Sequence, residues 1–110
     1  MNVGVSVVNA TTGRPVDGLP VRLERRQLGD WQVVRSGVTD ARDRIVCRSS
    51  ELSALWQTRV VLETDRSYTT LGVRPFYSHI EVTFHGSETA RDREIPVVIS
   101  PHGYVSCAVG

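Results

Sequence analysis

Apolar residues recur at every second position in several short runs of this chain, and turn residues separate the runs. Val3, Val5 and Val7 share one face of the first run, with Val8 on the other. The next segment, Asn9-Ala-Thr-Thr-Gly-Arg-Pro, is turn chemistry: Gly13 can take positive φ and Pro15 fixes its own. From Leu19 to Arg26, the residues Leu19, Val21 and Leu23 alternate with Pro20, Arg22 and Glu24, as a half-buried strand does. Leu28-Gly29-Asp30 turns into a strand at Trp31–Gly37. Thr39 to Asp43 is polar, and Arg44–Cys47 reads as a short strand. Thr58–Glu63 is a further strand. Thr64 and Asp65 then supply cap chemistry for a short helix, DRSYTTLG, with Gly72 as its C′ residue. The stretch SSELSALW (49–56) can also start a helix from a Ser N-cap. Tyr77–Phe84 places Ile80, Val82 and Phe84 on one face, and Arg93–Ser100 and Tyr104–Val109 form a closing hairpin.

About eight strands, one short helix and short loops predict an all-β, two-sheet β-sandwich. At 110 residues the chain is expected to be one domain, 1–110, with a single core.

Charge narrows the function classes. All 13 basic residues are Arg and the net charge is +1, with one dense basic cluster at Arg22, Arg25 and Arg26. A nucleic-acid binder carries a stronger basic excess, so nucleic acid is not expected as a partner. No run approaches the roughly 20 apolar residues of a membrane span. The segment MNVGVSVVNA lacks the positive start of a secretory signal, so a cytoplasmic location is expected. The Arg-only bias fits a GC-rich bacterial genome. Cys47 and Cys107 form no CxxC pair and read as reduced thiols. His79, His85 and His102 match no zinc spacing, so neither metal nor cofactor is expected. Trp31, Trp56 and Phe84 read as packing residues.

Four segments in order, VVNATTGRPVDGLPVRLER (7–25), SGVTDARDR (36–44), TLGVRPFYSHIEVTF (70–84) and IPVVISPHGYVS (95–106), resemble the transthyretin and 5-hydroxyisourate hydrolase superfamily. The resemblance implies an eight-stranded transthyretin-like (prealbumin-like) sandwich with one short helix. It also implies a homotetramer, a dimer of dimers, whose facing sheets form a channel for ligand or substrate. The loop Thr39…Arg44 and the short C-terminal segment lean towards the hydrolases.

The polar residues depart from that family. A hydrolase histidine on the first strand falls at Ser6, and a second, two residues before a proline, falls at Glu94. The first-strand lysine of transthyretin also falls at Ser6. The hydrolase ending Tyr-Arg-Gly-Ser is replaced by Cys107-Ala108-Val109-Gly110, and of the family's catalytic set only the loop arginine remains, as Arg44. Strand alternation then puts Glu94, Pro96 and Val98 on one face, with Val105, Cys107 and Val109 on the next strand and Ser6 and Val8 on the first. The expected channel is an apolar slot with few polar points, a normal small-molecule pocket.

Glu94 has two readings at this point. It is either a carboxylate paired with Arg91 or Arg93, or a channel acid–base group whose pKa burial raises and Arg44 lowers. Arg44 is either a turn surface charge or an anion and carbonyl binder. Cys107 is a packing thiol or a nucleophile, and Ser6 a hydrogen-bonding group. The expected function is therefore a divergent hydrolase-like enzyme using Glu94 and Arg44 on a small cyclic or carbonyl-bearing molecule, by ring opening, cyclisation or isomerisation, in specialised metabolism. A non-catalytic carrier, hydroxyisourate hydrolysis with altered residues, and an assembly module with an empty channel are the alternatives.

Overall fold

Valines at every second position make Val3–Asn9 a strand (β1), because β-branched side chains suit the pleat and alternation buries one face. The structure, a computed structural model, describes residues 3–40, 45–47, 57–85 and 93–106. Within them the strands after β1 are β2 (Pro20–Gln27), β3 (Asp30–Val38), β4 (Ile45–Cys47), β5 (Gln57–Leu62), β6 (Ile80–His85), β7 (Arg93–Ser100) and β8 (Gly103–Ser106). Among the described residues one helix, α1 (Thr64–Thr70), lies between β5 and β6. The stretch 49–56, where a second helix was possible, lies outside the described residues, as does Trp56.

The strands form two four-stranded sheets. Sheet A has the order β4-β1-β7-β8 and sheet B the order β3-β2-β5-β6. In sheet A, β1 and β7 pair in parallel from Val3 opposite Arg93 to Asn9 opposite Ile99, while every other strand pair is antiparallel. The expected β-sandwich is therefore present.

Its core lies between the sheets. Sheet A contributes Val3, Val5, Val7, Ile95, Val97 and Ile99, and sheet B contributes Val21, Leu23, Val60, Leu62 and Ile80, all buried. Burying each such side chain is worth about 1.5–3 kcal/mol relative to exposing it. Tyr68 of α1 joins this cluster, and burial pushes its phenol pKa up.

The helix ends differ from each other. At the C-terminus Gly72, at φ 73°, donates its N–H to Thr69 O, and Val73 donates to Tyr68 O. This is the Schellman pattern that the expected C′ glycine permits. At the N-terminus the expected Thr64 or Asp65 side-chain cap is replaced. The cap position is Glu63, without a side-chain cap bond. Thr64 is buried instead, and its hydroxyl donates to Tyr77 O at 3.2 Å while Asp65 N–H donates to Ser78 O at 3.0 Å.

Those two bonds explain a second difference. The alternation predicts a strand from Tyr77, but β6 starts at Ile80. The carbonyls of Tyr77 and Ser78 are committed to the helix start, and Phe76 N–H donates to Pro101 O at 2.7 Å. Tyr77 meets Phe76 and Tyr104 edge-on, with ring centroids 5.0 and 5.7 Å apart, so this loop is fastened to the β7–β8 turn.

Candidate functional site

The parallel register of β1 and β7 decides which side chains can meet. Side chains two apart along a strand share a face, and cross-strand partners sit side by side. With Val5 and Ile95 turned to the core, the opposite face of sheet A carries Gly4 beside Glu94, Ser6 beside Pro96, and Val8 beside Val98. Val105 of β8 pairs with Val98 and extends the last row. Six of the expected site residues, Ser6, Val8, Glu94, Pro96, Val98 and Val105, are thus brought onto one outer face. Arg44, Cys107 and Val109 lie outside the described residues.

The face is graded. Val105 is 68% exposed, and Val8, Pro96 and Val98 are half-buried, giving an apolar end near the β7–β8 turn. Glu94 is half-buried at the other end, about 13 Å from Val98 at roughly 3.3 Å per residue. The cross-strand position next to Glu94 is Gly4, which is buried and adds no side chain of its own. One carboxylate, one hydroxyl and an apolar row can orient a small molecule and move a proton on it. Among the described residues no three His, Cys, Asp or Glu side chains come together as a metal site.

The other sheet holds an arrangement that strand alternation does not reveal. On the outer face of sheet B, Glu24 is only 6% exposed. Its carboxylate accepts from Arg22 Nε at 2.8 Å and from Arg59 Nε at 2.6 Å. Arg22 also pairs with Glu63, and Arg59 with Glu81 at 3.7 Å, while His79 reaches Glu81 at 3.2 Å. Trp31 lies 4.1 Å from the Arg59 guanidinium, a cation–π contact, so it packs on a charge rather than in the core. Burial acts to raise the Glu24 pKa, but the Arg22 and Arg59 hydrogen bonds outweigh it and hold the carboxyl below its ordinary range. The same bonds from Glu24 and Glu63 raise the Arg22 pKa. The sequence signal was present as Arg-x-Glu on β2, Arg59 on β5 and Glu81 on β6, but only the register joins them. These groups satisfy one another, which makes the ladder structural; at one end Arg22 and Glu63 also line a surface cleft of about 500 Å³ with Pro20, Val38 and Arg66.

Two sheets of four strands with one helix between β5 and β6 define a transthyretin-like sandwich. Sea bream transthyretin, solved in complex with thyroxine, has a TM-score of 0.88 and 26% identity, covering 97% of this chain and 93% of that one. A second Sparus aurata transthyretin structure gives 0.87 and 25%, covering 97% and 95%. Residues 3–107 match the HIUase/Transthyretin family, to which the chain belongs. Its curated relatives include a 5-hydroxyisourate hydrolase of Salmonella dublin, 29% identical over 93% of this chain and 76% of that protein. A probable 5-hydroxyisourate hydrolase of Caenorhabditis elegans is 26% identical over 94% of this chain and 77% of its own length.

Proposed function

We propose that the outer face of sheet A lines a channel between copies of this chain assembled as a homotetramer, and that a small cyclic or carbonyl-bearing molecule reacts there. The supporting observation is the register that puts Glu94, Ser6 and the apolar row Val8, Val98 and Val105 on one face of the sandwich. The activity for which the relatives are named, 5-hydroxyisourate hydrolysis, favours ring opening as the type reaction.

In that reaction Glu94 takes a proton from a water molecule as its oxygen attacks the ring carbonyl. Glu94 then gives a proton to the departing ring nitrogen as the C–N bond breaks. Arg44 pairs with the oxyanion that forms on the carbonyl. Ser6 hydrogen-bonds the polar edge of the substrate, while Val8, Pro96, Val98 and Val105 hold its body. The same carboxylate, moving a proton on and off, serves cyclisation or isomerisation. A carboxylate where the hydrolases resembled here carry histidine changes the charge met by the substrate, and this favours a molecule other than hydroxyisourate.

The test is turnover of hydroxyisourate and of a panel of lactams and cyclic ureides, followed by absorbance, with sedimentation to read the assembly. Glu94→Gln should lower kcat about 100-fold, the scale of a lost acid–base group. Unchanged turnover, or a monomer with full activity, overturns the reading. A carrier is the second reading, favoured by the row Val8, Val98 and Val105, which bears no ionisable group. It requires saturable binding with no product formed.

A further inference from the structure

A separate cavity opens between the β1–β2 loop and helix α1. Its volume is about 530 Å³, within the range that holds small molecules. None of Ser6, Val8, Glu94, Pro96, Val98 or Val105 lines it. The loop wall carries Arg14 and the helix wall carries Arg66, with the hydroxyl residues Thr12 and Ser67 beside them. Val16 and Leu71 supply apolar surface, and Leu71 is 72% exposed, a large side chain with area left for a ligand to cover.

The loop wall is already formed. Asn9 Oδ1 accepts from Thr11 N–H at 2.8 Å, and Asn9 N–H donates to Arg14 O at 2.9 Å. Val16 N–H donates to Val7 O at 2.9 Å. The buried Thr39 hydroxyl donates to Val16 O at 2.7 Å and accepts from Leu19 N–H at 3.1 Å. Gly18, at φ 76°, turns the chain so that its own N–H reaches Thr39 O at 2.7 Å. A wall tied at both ends loses little freedom on binding, which favours affinity.

We infer that this cavity is a second binding site, for a small organic carboxylate with a compact apolar body. Two guanidiniums on opposite walls suit a carboxylate, which arginine grips by paired hydrogen bonds. Asp17 also lines the cavity, so the fixed charges sum to one positive and favour a monoanion over a dianion. The apolar body lies against Val16 and Leu71.

The experiment is an NMR titration of the labelled full chain with benzoate, with benzamide as a neutral isostere and inorganic phosphate as a compact anion. Benzoate should saturate with shifts at the amides of Arg14, Val16 and Ser67, and benzamide should bind at least tenfold more weakly. Phosphate should also bind at least tenfold more weakly, because it leaves the apolar wall uncovered. Arg14→Gln and Arg66→Gln should each weaken benzoate at least fivefold while amide shifts away from the cavity stay as in the parent, which shows the fold is kept. Glu94→Gln should bind benzoate as the parent does, so this site and the sheet A reading fail independently. Shifts that never saturate, equal binding of benzamide or phosphate, or shifts confined to β7 and β8 would overturn the inference.

Discussion

The two outer faces of this sandwich solve opposite problems. Sheet B presents a ladder of alternating charge in which Glu63, Arg22, Glu24, Arg59 and Glu81 are linked through side-chain contacts. Sheet A presents Val8, Pro96, Val98 and Val105, with Glu94 as an acid at one end. A face that satisfies its own polar groups needs no partner. Among the described residues the sheet A face is apolar at one end and carries Ser6 and Glu94 towards the other, with exposed apolar surface at Val105 to cover. If the proposed site is right, function and stability are carried on different sheets, and each can be damaged without the other.

The largest expected effect falls on activity. Glu94→Gln, which should cost about 100-fold in kcat, should leave thermal unfolding within a couple of degrees, since a half-buried surface acid contributes little to the fold. A large loss of Tm would place Glu94 with the structural ladder instead.

Glu24→Ala should do the reverse. It removes the acceptor shared by Arg22 and Arg59, and breaking a fully buried ion pair costs about 3–5 kcal/mol. Arg22 keeps Glu63 and Arg59 keeps Glu81, so about 2–3 kcal/mol is expected. For a chain of 110 residues that lowers Tm by roughly ten degrees or more. Turnover per folded molecule should not change. Urea denaturation and calorimetry read the first, active-site titration the second.

Acid sharpens the same point. The folded-state pKa of Glu24 is depressed, so its contribution is complete above the ordinary glutamate value of about 4.3 and is lost as pH falls through the lower folded value. The stability gap between the parent and Glu24→Ala should therefore shrink towards acid in urea melts at pH 7, 5 and 3. A gap that stays constant to pH 3 would show that packing, not charge, makes Glu24 matter.

The smallest effect is at Trp31. Its contact with Arg59 is half-buried, and Trp31→Ala should cost about 0.5–1 kcal/mol from the lost cation–π interaction, with further loss from packing. Equal losses in Trp31→Ala made alone and made with Arg59→Ala would show the two residues to be uncoupled.

The sequence made visible what is periodic and local. Alternation at Val3, Val5 and Val7 and at Leu19, Val21 and Leu23 located the strands and their buried faces, and Gly72 marked the helix end. The shared face of Glu94, Ser6 and Val98 was also within reach, because alternation along each strand is enough once the strands are neighbours. What stayed hidden depends on distant partners. Glu24 reads as an exposed strand residue until Arg59, 35 positions away, closes over it. Tyr77 reads as strand until helix α1 claims its carbonyl. The cavity at Arg14 and Arg66 requires the β1–β2 loop and α1 to meet, and no spacing rule joins them.

The parallel pairing of β1 with β7 also governs the order in which the molecule can assemble. Sheet B joins β3, β2, β5 and β6 by antiparallel pairs, the widest of which sets Val21 opposite Leu62. Val3, by contrast, waits for Arg93, about ninety residues further on. Closing so long a loop slows folding, and parallel strands are slow to pair. On a ribosome the first strand therefore emerges early and finds its main partner late, with a valine-rich edge exposed in the interval. The sheet that bears Glu94 and Ser6 is the last to exist.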